Sequence, residues 1–185
     1  MSEKNAHDLF IERLEEAYPQ AFRNVYCGIS INEGWYHIIE SLCRNVKSHV
    51  KWKRSVRARE LLQNRAYKRG HAAVLKFLCK DKEPTMWDET RADEIMENGL
   101  IEPRKSVRHI EVHQIKEKFG GLRFYYDGGD EYVRGLVDMA ESWAGHTCET
   151  CGNLGKQRSG GWIRTLCDVH EAEYQERLKN YREED

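Results

Sequence analysis

The sequence predicts an α+β fold, and three observations carry that expectation. Apolar residues from Trp35 to Val46 recur at helical spacing, two runs between His109 and Tyr126 alternate with period two, and a paired Cys/His pattern begins at Cys148. The helices come first and the strands later, so the two kinds of structure segregate along the chain rather than alternate as in a parallel α/β sheet.

Taken in order, Leu9, Phe10, Leu14 and Ala17 keep helical spacing until Pro19 stops the segment. Trp35, Ile38, Ile39, Leu42, Cys43 and Val46 form one stripe at i, i+3, i+4, i+7, i+8 and i+11, with Ser30 and Glu33 in position for a capping box. Cys27, Cys43 and Cys79 sit among apolar neighbours and are expected as buried small hydrophobes. The basic stretch that follows is expected to be helical, weakly apolar and mostly exposed, and to break near Gly70, after which His71, Val74, Leu75 and Leu78 form a short stripe. The acidic stretch from Asp81, bounded by Pro84 and Pro103, reads as a surface excursion with a helical turn or two between Glu89 and Glu97.

Ile110 and Val112 then alternate with His109, Glu111 and His113, and Leu122, Phe124 and Tyr126 with Arg123 and Tyr125. This pattern predicts an antiparallel hairpin turning at Gly120-Gly121 and ending at Gly128-Gly129. A helix from about Asp130 is expected to bury Tyr132, Val133, Leu136, Val137, Ala140 and Trp143. The organisation expected is a helical region with a basic helix (1–80), an acidic connecting excursion (81–106), a hairpin and helix (107–145), and a metal-binding finger (146–185).

The metal pattern is C-x2-C at Cys148 and Cys151, fifteen intervening residues, then C-x2-H at Cys167 and His170. A C-x2-C pair bends round one ion, Gly152 supplies a permissive backbone just after it, and four soft or borderline donors suit tetrahedral zinc. With all four positions filled by protein, one structural zinc is expected; His146 is the weaker alternative ligand because His170 keeps the paired spacing. A knuckle, a Gly-rich hairpin through Trp162 and Arg164, and a helix whose first turn carries the last two ligands resemble a treble-clef finger. A nuclease of that shape needs a general-base His and a second His or Asn, but residues 152–166 hold no His and only Asn153.

No other catalytic arrangement stands out. His109 and His113 lie about 13 Å apart if both are in one strand, the glycine pairs read as turns, and no Ser-His-Asp set, paired catalytic carboxylates or G-x-S-x-G is present. The expectation is a non-enzymatic protein with no small-molecule substrate. No apolar run approaches the ~20 residues of a spanning helix and the N-terminal residues lack a secretory pattern, which predicts a soluble cytoplasmic protein without a membrane partner.

Charge is uneven beneath a net value of -1. Ten cations stand against Glu60 alone from Arg44 to Arg69, and eight acids stand against Lys82 and Arg91 from Asp81 to Glu102. The basic block either serves a polyanion or pairs with the acidic block. On the first alternative, Lys47, Lys51, Lys53, Arg54, Arg57, Arg59, Arg65, Lys68 and Arg69 would contact nucleic acid, joined by Arg158 and Arg164 on the finger hairpin. A protein-directed role, inhibiting or redirecting a host enzyme such as a defence nuclease or the transcription machinery, is the competing expectation and suits the near-zero net charge.

Three stretches together resemble a group of small zinc-finger proteins of tailed phages and prophages. They are Gly34-Trp35-Tyr36 through Leu42-Cys43, the run Gln114-Ile115-Lys116-Glu117-Lys118-Phe119-Gly120-Gly121-Leu122-Arg123-Phe124-Tyr125, and Ala140-Glu141-Ser142 through Cys148-Glu149-Thr150-Cys151-Gly152 with Gly161-Trp162, Thr165-Leu166-Cys167 and His170. The resemblance spans about residues 28–46 and 110–172. It implies zinc on Cys148, Cys151, Cys167 and His170 and a phage setting in a host cell, and it implies no activity.

Overall fold

The computed structural model describes residues 4–80, 82–159 and 162–183, and divides into two compact units. One comprises Met1–His49 with Arg108–Asp185, the other Val50–Val107. In the first, α1 (Ala6–Ala17) is capped by the Asn5 side chain, which accepts from the Asp8 amide at 2.9 Å, and stops before Pro19, which opens the short α2 (Pro19–Phe22). Helix α3 (Tyr36–Tyr67) and the residue before it carry the expected stripe: Trp35, Ile38, Ile39, Leu42, Cys43 and Val46 are all buried. The expected Ser30–Glu33 capping box does not form. Ser30 belongs to strand β1 (Ile29–Ser30), and the helix is entered through a 3-10 turn, Glu33–Trp35. Asn32 stands before that turn but spends its amide on Glu149 Oε1 at 3.1 Å, and the Gly34 amide donates to the Glu149 carbonyl at 2.9 Å. A distant residue therefore satisfies the donors that a local cap would have taken.

The expected hairpin is β2 (Arg108–Lys118) against β3 (Gly121–Gly129), and β1 adds a third strand parallel to β2, with Ile29 opposite Ile115. Two residues are too few to show a period in sequence. The turn places Phe119 at φ 53° and Gly120 at φ 71°. A register shift between Val112 and Gln114 moves the buried face of β2 from Ile110 and Val112 to Ile115, as a bulge does. Helix α6 (Glu131–Ala144) starts at Asp130, whose carboxylate accepts from the Val133 amide. It buries Val133, Val137, Ala140 and Ala144, while Tyr132 and Trp143, expected inside, flank this stripe and stay exposed. Tyr132 instead stacks on His49, ring centroids 4.3 Å apart. Strands β4 (Lys156–Arg158) and β5 (Arg164–Leu166) pair antiparallel, and α7 (Asp168–Glu183) follows.

The second unit holds the end of α3 with α4 (His71–Cys79) and α5 (Met86–Asn98) around a core of Ala66, Val74, Ala92 and Ile95, flanked by Tyr67, Leu75, Phe77 and Met96. Gly70, at φ 91°, makes the expected break. The acidic segment carries a full 13-residue helix rather than a turn or two. Thr85 and Asp88 form a reciprocal capping box, and Ala92, Ile95 and Met96 supply the inner face. The basic part of α3 is mostly exposed, as expected, and some of its polar residues bind returning chain. Asn64 exchanges two hydrogen bonds with the Ile101 backbone (2.7 and 3.0 Å), Glu60 accepts from the Arg104 amide, and Arg57 donates to the carbonyls of Pro103 and Arg104. No helix among the described residues is long and apolar enough to cross a membrane.

Candidate metal centre

The expected four ligands converge. Among the described residues, Cys148, Cys151, Cys167 and His170 are the group whose donor atoms all lie within 4.8 Å of one another, which could hold one metal ion; His146 is not part of it. The Cys151 and Cys167 sulfurs are 3.9 Å apart, and His170 Nδ1 lies 3.5 Å from Cys148 Sγ and 3.1 Å from Cys167 Sγ. A tetrahedral centre with metal–sulfur bonds of about 2.3 Å and a metal–nitrogen bond of about 2.0 Å requires S···S near 3.8 Å and S···N near 3.5 Å. The donors are spaced for one small ion. His170 turns Nδ1 inward, and its Nε2 lies 3.9 Å from the Glu173 carboxylate, which can orient the ring.

Local structure explains the placement. Cys148 follows the end of α6, its amide donates to the Asn153 carbonyl at 2.8 Å, and the Gly152 amide returns to the Cys148 carbonyl at 2.9 Å. Gly152 sits at φ 78°, so the glycine after the second cysteine serves the turn as expected. Cys167 precedes α7, and His170 lies in its first turn.

The thiols do not share one proton affinity. Burial opposes ionisation of Cys148, but backbone donors from Cys167, Cys151 and Thr150 outweigh it and bring its pKa down to about 6. Cys167 is also lowered, first by the His170 backbone N–H. At Cys151 the Asn153 N–H favours the thiolate, yet burial and the neighbouring sulfurs together raise its pKa. Hydrogen bonding to Cys167 raises His170. Hydrogen bonding thus favours the thiolates of Cys148 and Cys167, and a cation bound among the four donors would favour deprotonation of Cys151 and His170 as well.

Residues outside the ligand pattern build the walls. Trp35 is fully buried and donates Nε1–H to the Thr147 carbonyl at 2.8 Å. A methyl on Gly34 would lie 2.2 Å from the Cys148 carbonyl oxygen. Glu149 is buried and gathers Arg164 at 2.6 Å and Asn32, while Arg164 also lies over the Tyr174 ring at 5.1 Å. Thr165 Oγ1 donates to the Gly120 carbonyl, and Gln157 donates to that of Phe119. The three stretches that carry the resemblance therefore meet around the knuckle. Spacing alone had exposed the ligands but not this support, since Gly34, Glu149 and Gly120 act through contacts over 30 residues or more of chain.

The cations expected to bind nucleic acid fall into different settings. Arg164 is held by Glu149, Arg158 by Asp168 (2.6 Å) and the Leu166 carbonyl, and Lys47 by the Ala17 carbonyl (2.9 Å). Acids outside the hairpin thus neutralise its arginines. Gly160 and Gly161 lie outside the described residues. In the second unit, Arg57 serves backbone carbonyls, and Lys53 stands over Trp52 at 5.8 Å. Lys51, Lys53, Arg54, Arg59, Arg65, Lys68 and Arg69 form no ion pair among the described residues. Among the described residues the acidic segment is ion-paired to His71 and to its own Arg91, not to the basic run.

Compared with protein-family models, curated proteins and solved structures, the chain has no match in any of the three.

Proposed function

We propose that this is a non-enzymatic, zinc-stapled binding protein that takes nucleic acid on the cationic face of α3, acting in the cytoplasm of a phage host. Three thiolates and an imidazole at tetrahedral spacing suit zinc, and the filled donor set gives it a structural role. We read the knuckle, the β4–β5 hairpin and α7 as a treble clef. The phage setting rests on the resemblance. The observation that carries the binding reading is the row of cations from Lys51 to Arg69 left without acidic partners among the described residues, although an acidic helix folds in the same unit. Along a helix rising 1.5 Å per residue the charges from Lys51 to Arg65 extend about 21 Å, enough to follow several phosphates, and Lys68 and Arg69 follow in the turn after α3.

Fluorescence anisotropy with labelled duplex DNA, duplex RNA and single strands tests this. Affinity for at least one should fall with log salt at a slope of about -0.7 to -0.9 per phosphate neutralised, and Lys51→Glu/Arg54→Glu/Arg69→Glu should flatten the slope. Absence of binding to every probe at about 50 mM salt overturns the reading. The net charge of -1 favours the second reading, a factor directed at a host protein. One host protein captured from lysate after nuclease digestion, with no nucleic-acid binding in the first experiment, supports it.

A further inference from the structure

The second unit carries two exposed faces of opposite charge that do not neutralise each other. On α3, Lys51, Arg54 and Arg65 share one helical face, with Ala58 and Leu62 falling between them, Leu61 alongside and Arg69 in the turn that follows the helix; Leu61 and Leu62 are 42% and 50% exposed. On α5, Met86 and Trp87 are 78% and 79% exposed, amid acids of which Glu89 and Glu97 have no ion pair among the described residues. Isolated apolar residues on a surface are ordinary, but adjacent Met and Trp side chains left this open are the types that anchor interfaces. Each face offers an apolar centre with charges around it, and the charges of one complement those of the other.

We infer that the α5 face of one copy docks on the α3 face of a second copy. Trp87 and Met86 meet Leu61 and Leu62, with Glu89 and Glu97 toward the arginines. A two-fold pair uses each face once per copy and closes. This goes beyond the nucleic-acid reading and adds a consequence to it: a second copy and a polyanion compete for α3, so self-association masks the basic face.

Sedimentation of the full chain tests the pairing. A dimer is expected at about 50 mM salt, with affinity at least tenfold weaker at about 500 mM, where the ionic contacts are screened. Glu89→Lys/Glu97→Lys and Arg54→Glu/Arg65→Glu should each be folded by circular dichroism and monomeric, and an equal mixture of the two should dimerise, because reversal on both sides restores opposite signs. Trp87→Ala should weaken the wild-type dimer about tenfold or more. A wild-type monomer at low salt, growth beyond two copies, or a mixture that stays monomeric overturns the inference. Glu89→Lys/Glu97→Lys should bind duplex DNA at least as tightly as wild type, and excess duplex should split the wild-type dimer into singly bound chains. A dimer that stays intact on the duplex overturns the competition. Dimerisation without nucleic-acid binding defeats the function proposed above and leaves the pairing standing; binding by a strictly monomeric protein does the reverse.

Discussion

The indole of Trp35 donates to the main-chain carbonyl of Thr147 across 2.8 Å, joining the start of α3 to the residue before the first metal ligand. The donor is fully buried, so the bond has no water to replace it. Beside it the Gly34 amide donates to the Glu149 carbonyl. The helix entry is thus one wall of the metal knuckle.

Trp35→Phe keeps most of the ring and strands the Thr147 carbonyl, at an expected cost of about 1–3 kcal/mol. Gly34→Ala drives a methyl into backbone atoms that have no rotamer to yield, and is expected to cost a similar 1–3 kcal/mol or so. Gly135→Ala, on α6 with nothing within 4 Å of the new methyl, should stabilise by about 0.5–1 kcal/mol. Urea unfolding checks all three, and a Gly34→Ala protein as stable as wild type refutes the tight packing.

Metal content is the second test. Elemental analysis of purified protein should return about one zinc per chain, and Cys151→Ser should lose the metal and unfold the region from Cys148 onward. Comparable small sites contribute on the order of 10–16 kcal/mol, and among its described residues this region buries little besides Cys148, Glu149, Thr165 and Leu166. A metal-free protein with an unchanged melting curve would overturn it.

Buried Glu149 offers a third measurement. Glu149→Gln removes the charge that holds Arg164, and breaking such a pair from one side should cost about 3 kcal/mol. Glu149→Gln/Arg164→Met should regain part of that loss. Losses of Glu149→Gln and of Arg164→Met that simply add up to the loss of the double variant would show that the two side chains are not coupled.

Thiol labelling separates the cysteines that do not bind metal. Burial pushes the Cys43 thiol up to about 12, and burial with the Asp88 carboxylate raises Cys79, so both should resist iodoacetamide at neutral pH. Cys27, expected inside, is exposed and should label quickly. Labelling of Cys43 at the Cys27 rate would mean that the Trp35–Val46 stripe is not a core face.

Acid should loosen α5. Hydrogen bonds from Thr85 hold the Asp88 pKa below the ordinary 3.8, so its capping contribution is complete above that value and is lost as pH falls through the lower folded pKa. Carbon-detected titration of Asp88 should show a midpoint under 3.8, and Asp88→Asn should make melting less dependent on pH in that acid range. A midpoint at or above 3.8 contradicts the capping box.

What could be read from the chain alone was whatever rests on near neighbours. The α3 stripe, the stops at Pro19 and Gly70, the β2–β3 hairpin, the Asp130 cap and the four-ligand pattern each depend on spacings of a few residues, and each stands in the structure. Tertiary structure decided where local signals compete or are silent. Asn32 abandons a local cap for Glu149, two-residue β1 exists only by pairing with β2, and Cys27, among apolar neighbours in sequence, lies at the surface. The basic and acidic blocks show the limit most plainly. Their composition permits mutual pairing or separate exposure, and only the packing of α5 through Ala92 and Ile95 settles which charges meet, because the direction a helix turns its acids follows from the apolar face it must bury.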